Sequence, residues 1–253
     1  MANGRLDVDT LGEGPDIVLL HSLLSDRSSF YPLAHRLVES GRRVGVMNLP
    51  GFGDSSSAAP LAGYSDAVAE HCESLGSGKP DIVGNGLGSF VALTMAARHG
   101  AKIGKIVLLG AAIAFPEAGR KTFAALADKA EREGMAPIAD VAMQRMFPAD
   151  FIAAHPGIVA ERKAVFLRIE PSVFAAAARS LATLDFSAAL QRIRNPALVV
   201  VGEKDGATPP ALGRALAERL PDARFVELPG IGHAPHIHAL DLLLSKVGPF
   251  LGL

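Results

Sequence analysis

Short, continuously apolar runs alternate along the chain with longer segments in which apolar residues return every three or four positions. The runs at 17–20, 43–47, 81–83, 105–109, 197–201 and 224–228 are bounded by Gly, Pro and Asp and read as strands. The periodic segments at 30–40, 66–75, 87–98, 210–219 and 239–251 read as helices. Strands that are apolar at every position are buried on both faces, so the order strand, helix, strand predicts an α/β fold: a mostly parallel sheet with helices on both sides. Between residues 115 and 184 the alternation stops and helix follows helix, including the Ala-rich stretches 123–133 and 172–184. This predicts an α/β core made of residues 1–114 and 185–253, carrying an inserted helical cap at 115–184.

Composition narrows the function. With 25 basic and 26 acidic residues among 253, the net charge is −1, and the basic residues are scattered, so no stripe exists to track a phosphate backbone. Nucleic acid is not an expected partner. Cys72 is the sole cysteine, so no internal disulfide forms, and its helical position predicts a small buried residue. The histidines show no metal-ligand spacing, and no metal or other cofactor is expected. The first residues lack the basic start and apolar stretch of a signal peptide, and no run of about 18 apolar residues occurs. A cytoplasmic protein that acts on a small molecule, without membrane partners, is the expectation; oligomeric state is left open.

The chemistry concentrates after the third apolar run. Residues Gly84-Asn85-Gly86-Leu87-Gly88 join a buried strand to a helix and match the nucleophile elbow G-x-S-x-G except at the middle position, which is Gly86. Phosphate-binding turns are also glycine-rich, but this one has neither the P-loop lysine nor the first-strand position of a dinucleotide fingerprint.

Together with three further segments, this turn resembles the α/β-hydrolase family over essentially the whole chain. Leu19-Leu-His-Ser-Leu-Leu-Ser-Asp26 is similar to the family's oxyanion loop, and Asn48-Leu-Pro-Gly-Phe-Gly-Asp-Ser55 to its D-x-x-G-x-G-x-S turn, with Asn in place of the leading Asp. Val199-Val-Val-Gly-Glu-Lys-Asp205 ends where the family places its catalytic acid, and Leu228-Pro-Gly-Ile-Gly-His233 where it places its histidine. The resemblance is nearest to the 3-oxoadipate enol-lactonase-like hydrolases, although Leu24 replaces a glycine and the elbow serine is absent.

The resemblance implies a hydrolase of a small carboxylic ester, lactone or related acyl substrate. Asp205 would orient His233, and the backbone N–H groups of Leu23 and Leu87 would face the developing oxyanion. His21, Ser22, Phe147 and Phe166 are candidate pocket residues. Phe115, Phe123, Met143, Met146 and Phe174 are further candidates for the lining, and Arg145, Arg162 and Arg168 for meeting a substrate carboxylate. Neither Ser22, expected at the pocket rim, nor Ser89 stands where the elbow presents its side chain. Gly86 leaves open an engineered inactive variant and a natural mechanism without a covalent intermediate, in which water takes the vacated volume. A cofactor-free lyase or oxygenase on the same dyad, and a non-catalytic small-molecule-binding pseudoenzyme, are the alternatives.

Overall fold

A computed structural model describes residues 6–56, 61–76 and 78–253. Of the N-terminal segment read above for a targeting signal, residues 1–5 lie outside these. Seven strands, β1 (Asp7–Leu11), β2 (Asp16–Leu20), β3 (Arg43–Asn48), β4 (Asp81–Asn85), β5 (Ile106–Leu109), β6 (Ala197–Gly202) and β7 (Ala223–Leu228), form one sheet in the order β1-β3-β2-β4-β5-β6-β7. All neighbours run parallel except β1, which pairs antiparallel with β3.

The burial pattern follows from position in this sheet. Strands β2 and β6 are buried at every residue, whereas the edge strands β1 and β7 are largely half-exposed. Successive side chains of a strand point to opposite faces. Accordingly Val18 and Leu20 join one apolar cluster, and Ile17 and Leu19 the other. The first cluster is completed by α2 (Leu61–Ser74), α3 (Leu87–His99) and α9 (Pro210–Arg219), and the second by α1 (Tyr31–Glu39) and α11 (Leu240–Leu251). Cys72 sits in the first cluster, where burial pushes its thiol up to about 12.

Two elements differ from the sequence reading. Strand β1 was not predicted, because its alternating acids Asp7 and Asp9 suit only a solvated edge. Helix α2 starts at Leu61 and not near Asp66, with Leu61, Tyr64 and Ser65 buried in its first turns.

Where the chain leaves the sheet after β5 and returns before β6, Ala114 and Asp185 form an antiparallel bridge. Between them run α4 (Glu117–Glu133), α5 (Ala139–Met146), α6 (Ala149–Ala154), α7 (Pro156–Leu167) and α8 (Pro171–Thr183). A short helix, α10 (Pro235–His238), precedes α11. No described helix is long and apolar enough to cross a membrane.

Candidate active site

The strand order locates the site. From β2 the chain moves outward to β3, then crosses back over β2 to enter β4. Loops leaving β2 and β4 therefore diverge, opening a crevice at the carboxyl ends of these strands, the usual place for a ligand in an open α/β sheet. The loop after β2 carries His21, Ser22 and Leu23, and β4 ends at the glycine-rich turn.

That turn is as tight as its glycines allow. A side-chain carbon on Gly84 would lie 2.4 Å from the Gly88 backbone, and one on Gly88 would lie 2.0 Å from the Leu20 carbonyl oxygen. Gly86 caps α3 with φ 53° and ψ −113°, a conformation that L-residues adopt only under compulsion and that glycine takes without a steric penalty. A side-chain carbon on Gly86 would lie 2.8 Å from His233 Nε2 and 2.9 Å from Ser22 Oγ. The volume expected to be vacated is thus partly closed by two polar groups. Ser22, expected at the rim, instead borders the elbow position directly, a contact between loops 64 residues apart that no local pattern reveals. Ser89 is turned away, its hydroxyl donating to the carbonyls of Gly84 and Leu109.

His233 and Asp205 meet behind this space. His233 Nδ1 lies 2.9 Å from Asp205 Oδ2, and both residues are buried. The other carboxylate oxygen accepts from the backbone N–H groups of Ala207 and Thr208 at 2.8 and 2.7 Å. A carboxylate accepts only, so Nδ1 carries the proton and Nε2 is left as the basic nitrogen. Asp205 does not cap α9, whose N-cap is Pro209 with no side-chain hydrogen bond.

Two residues missed from the sequence support the pair. Gly110, with φ 70°, has no room for a side-chain carbon, which would lie 2.9 Å from the His233 ring. Asn85 Nδ2 donates to the carbonyls of His233 and Leu109, fastening the histidine loop to the elbow strand. A Gly directly after a buried strand and an Asn inside the glycine-rich turn were the available signals.

The two backbone donors are oriented by their peptide planes. Leu49 N–H donates to His21 Nε2 at 3.0 Å, so His21 Nδ1 holds the proton and donates to the Ser22 carbonyl at 2.8 Å. In a trans peptide the N–H points opposite to the C=O, so the Leu23 N–H turns away from His21. The Gly86 carbonyl accepts from Ser89 and Phe90 N–H inside α3, which aims the Leu87 N–H out of the helix. Among the described residues neither donor has a protein acceptor.

A pocket joins these groups. Ser22, Leu23, Gly86, Leu87 and His233 form its floor; Phe90, Phe115, Phe123, Leu126, Phe174 and Leu181 form its apolar walls. Arg145 and Thr208 also reach it. Its open space is about 30 Å³, enough for a water molecule.

Three of the four expected pocket residues lie elsewhere. His21 is fully buried behind the loop, edge-on to Phe52. Phe147 stacks on Phe151, away from the lining, and Phe166 stands edge-on to Phe174, backing the lining there. Met143 and Met146 are likewise buried outside the lining. Arg162 is buried against Ser28 Oγ, and Arg168 is exposed, 3.7 Å from Asp26.

The sequence also matches known proteins. Residues 15–240 match the alpha/beta hydrolase fold family. A pimeloyl-[acyl-carrier protein] methyl ester esterase of Chromobacterium violaceum is 32% identical, with 94% of this chain and 95% of that protein covered. One of Aromatoleum aromaticum is 30% identical, covering 88% and 92%. The enol-lactonase of Burkholderia xenovorans LB400 superposes with a TM-score of 0.93 at 28% identity, covering 100% of this chain and 98% of that one. The enol-lactonase likeness therefore holds in structure, while these two sequence relatives carry an esterase name. The chain is an α/β-fold hydrolase and belongs to the alpha/beta hydrolase fold family.

Proposed function

We propose that this hydrolase cleaves a small carboxylic ester or lactone by direct attack of water, with His233 as general base, Asp205 as its orienting partner, and the Leu23 and Leu87 N–H groups as the oxyanion hole. The observation that carries this reading is the arrangement around Gly86: a basic His233 Nε2 faces a side-chain-free elbow, and two residues whose backbone donors lack a protein acceptor among the described residues, Leu23 and Leu87, line the same pocket. In a serine hydrolase the histidine would take its proton from the elbow hydroxyl. Here the elbow offers none, and water is the nucleophile that the base can reach.

The step balances simply. Water gives a proton to Nε2 as its oxygen bonds the carbonyl carbon, and the carbonyl oxygen becomes an oxyanion held by Leu23 and Leu87 N–H. Collapse breaks the ester or lactone C–O bond, and the leaving oxygen takes the proton from Nε2. The acid and the alcohol, or the ring-opened hydroxy acid, leave. Preorganised donors in a buried pocket are the largest source of acceleration available without a covalent intermediate.

The substrate is read from the walls. Phe115, Phe123, Leu126, Phe174 and Leu181 belong to the segment between β5 and β6, so an acyl chain would press against α4 and α8. The names of the two sequence relatives favour methyl esters over lactones. A cytoplasmic setting accords with this chemistry.

The test is a panel of small methyl and aryl esters and lactones, followed under steady-state and burst conditions. Turnover is expected without a burst, unlabelled by fluorophosphonate and abolished in His233→Ala. Turnover retained in His233→Ala, or a stoichiometric burst, would falsify the proposal.

A further inference from the structure

Ser22 is the hydroxyl that stands nearest the empty elbow, and its bonding leaves it unfinished. Its Oγ accepts a long hydrogen bond, 3.3 Å, from Leu24 N–H. A serine hydroxyl has two acceptor positions and one donor, so a second acceptor position and the O–H remain. Ser22 is 3% exposed, so bulk water does not supply the partner. Its Oγ and His233 Nε2 lie 2.9 and 2.8 Å from one point, the place of a side-chain carbon on residue 86. Water cannot take that point, which is a covalent bond length from the Gly86 Cα. A water would stand farther out, in the pocket that Ser22, Gly86 and His233 line together.

We infer that Ser22 is a catalytic residue, which holds the attacking water against His233 in place of the missing elbow hydroxyl; this rests on the water mechanism proposed above. The water donates one hydrogen to His233 Nε2 and the other to Ser22 Oγ. Both lone pairs stay free, and one faces the carbonyl carbon bound at the Leu23 and Leu87 donors. As the reaction proceeds the first hydrogen passes to Nε2 and the second stays on the hydroxyl that bonds to carbon, so Ser22 is neither acylated nor ionised. Two hydrogen bonds donated to fixed acceptors limit the orientations of the water, which is the entropic contribution an elbow serine makes by covalent attachment. The same residue sits beside the oxyanion donor Leu23, so water and carbonyl are positioned by one loop.

The test separates this contact from a loop-shaping role. In the Gly86 protein, Ser22→Ala is expected to lower kcat by about 10- to 100-fold with KM changed less than about threefold, and Ser22→Thr to retain most of the rate. In a Gly86→Ser background acylation needs no water, so Ser22→Ala should cost about tenfold less in the burst-phase rate. Equal losses in the two backgrounds would show that Ser22 only shapes the oxyanion loop. Should Gly86→Ser form no acyl-enzyme, a Ser22→Thr rate as low as that of Ser22→Ala would overturn the inference. Mass-spectrometric recovery of an acyl group or fluorophosphonate on Ser22 would overturn it too, by making Ser22 the nucleophile. Absence of any His233-dependent turnover refutes the proposed reaction itself, whereas turnover indifferent to Ser22→Ala refutes this contact alone.

Discussion

The His21 imidazole bridges Leu49 N–H and the Ser22 carbonyl, and by holding that carbonyl it sets the direction of the Leu23 N–H across the same peptide. His21 therefore acts on the pocket without entering it. Burial lowers its pKa to about 4, so the ring stays neutral through the physiological range and keeps the one-donor, one-acceptor state that the two bonds need.

Replacing His21 with Leu removes both bonds and leaves the Ser22–Leu23 peptide plane held only by the 3.2 Å bond from Ser25 N–H to the Ser22 carbonyl. The expected result is a kcat lower by about 100-fold, the usual loss for one oxyanion donor, with little change in KM. Leu49 N–H would be left buried and unpaired, a cost of about 1–3 kcal/mol that thermal melting should register, while the Ser22 carbonyl keeps its bond from Ser25 N–H. Unchanged kcat in a folded variant would separate His21 from the oxyanion hole.

Gly86→Ser tests the elbow itself. The new side chain must accept φ 53°, a strain of about 1–3 kcal/mol, and push aside the ends of His233 and Ser22 by a few tenths of an ångström. A variant that melts lower, yet reacts stoichiometrically with fluorophosphonate at residue 86 and cleaves aryl esters through a burst, is the expected outcome. An inert variant with native-like circular dichroism would mean that the dyad and oxyanion donors are not arranged for a nucleophile at this position.

The parts of the molecule legible in sequence are those whose signal is local. Central strands read well because burial on both faces makes them apolar at every position, whereas β1 escaped because an edge strand can alternate with Asp7 and Asp9. Gly86, Asp205 and His233 were marked by short motifs, and the fold brings them to one crevice. Ser22, Asn85 and Gly110 gain their significance from contacts between loops, which spacing does not encode. For the lining, Phe166 and Phe174 look alike on the successive helices α7 and α8. Only the packing shows that one faces the pocket and the other backs it.

His236 offers a pH prediction. It is 1% exposed, stacks on Phe30 at 4.2 Å, and neither ring nitrogen has a partner among the described residues. Burial, with His233 and Arg162 nearby, lowers its pKa from 6.5 to about 3. The folded pKa lies below the unfolded one, so the unfolded chain binds more protons between these values, and stability falls as pH drops below about 6.5. His21 contributes in the same direction down to about 4. His236→Phe keeps the stack and removes the titration. Relative to the parent, its melting temperature should rise more at pH 5 than at pH 8, by the equivalent of about 2 kcal/mol, or roughly 4–8 °C. Parallel pH profiles for the two proteins would contradict the buried neutral histidine.

Arg145 decides whether the substrate carries charge. Its guanidinium reaches the pocket, packs 5.6 Å over the Phe123 ring, makes only a long 3.5 Å bond to the Ala207 carbonyl, and feels the Asp205 charge without forming an ion pair among the described residues. Burial lowers its pKa, although an arginine stays charged at any working pH. A half-buried cation facing apolar walls is better satisfied by an anionic group on the ligand than by a neutral one. Esters bearing a carboxylate on the acyl chain should therefore show a higher kcat/KM than their neutral isosteres. Arg145→Met, which keeps the apolar stem, should lower kcat/KM about 10- to 100-fold for the anionic series, the scale of one charge-assisted hydrogen bond, and spare the neutral one. Equal effects on both series would instead assign Arg145 to holding the wall beside Phe123.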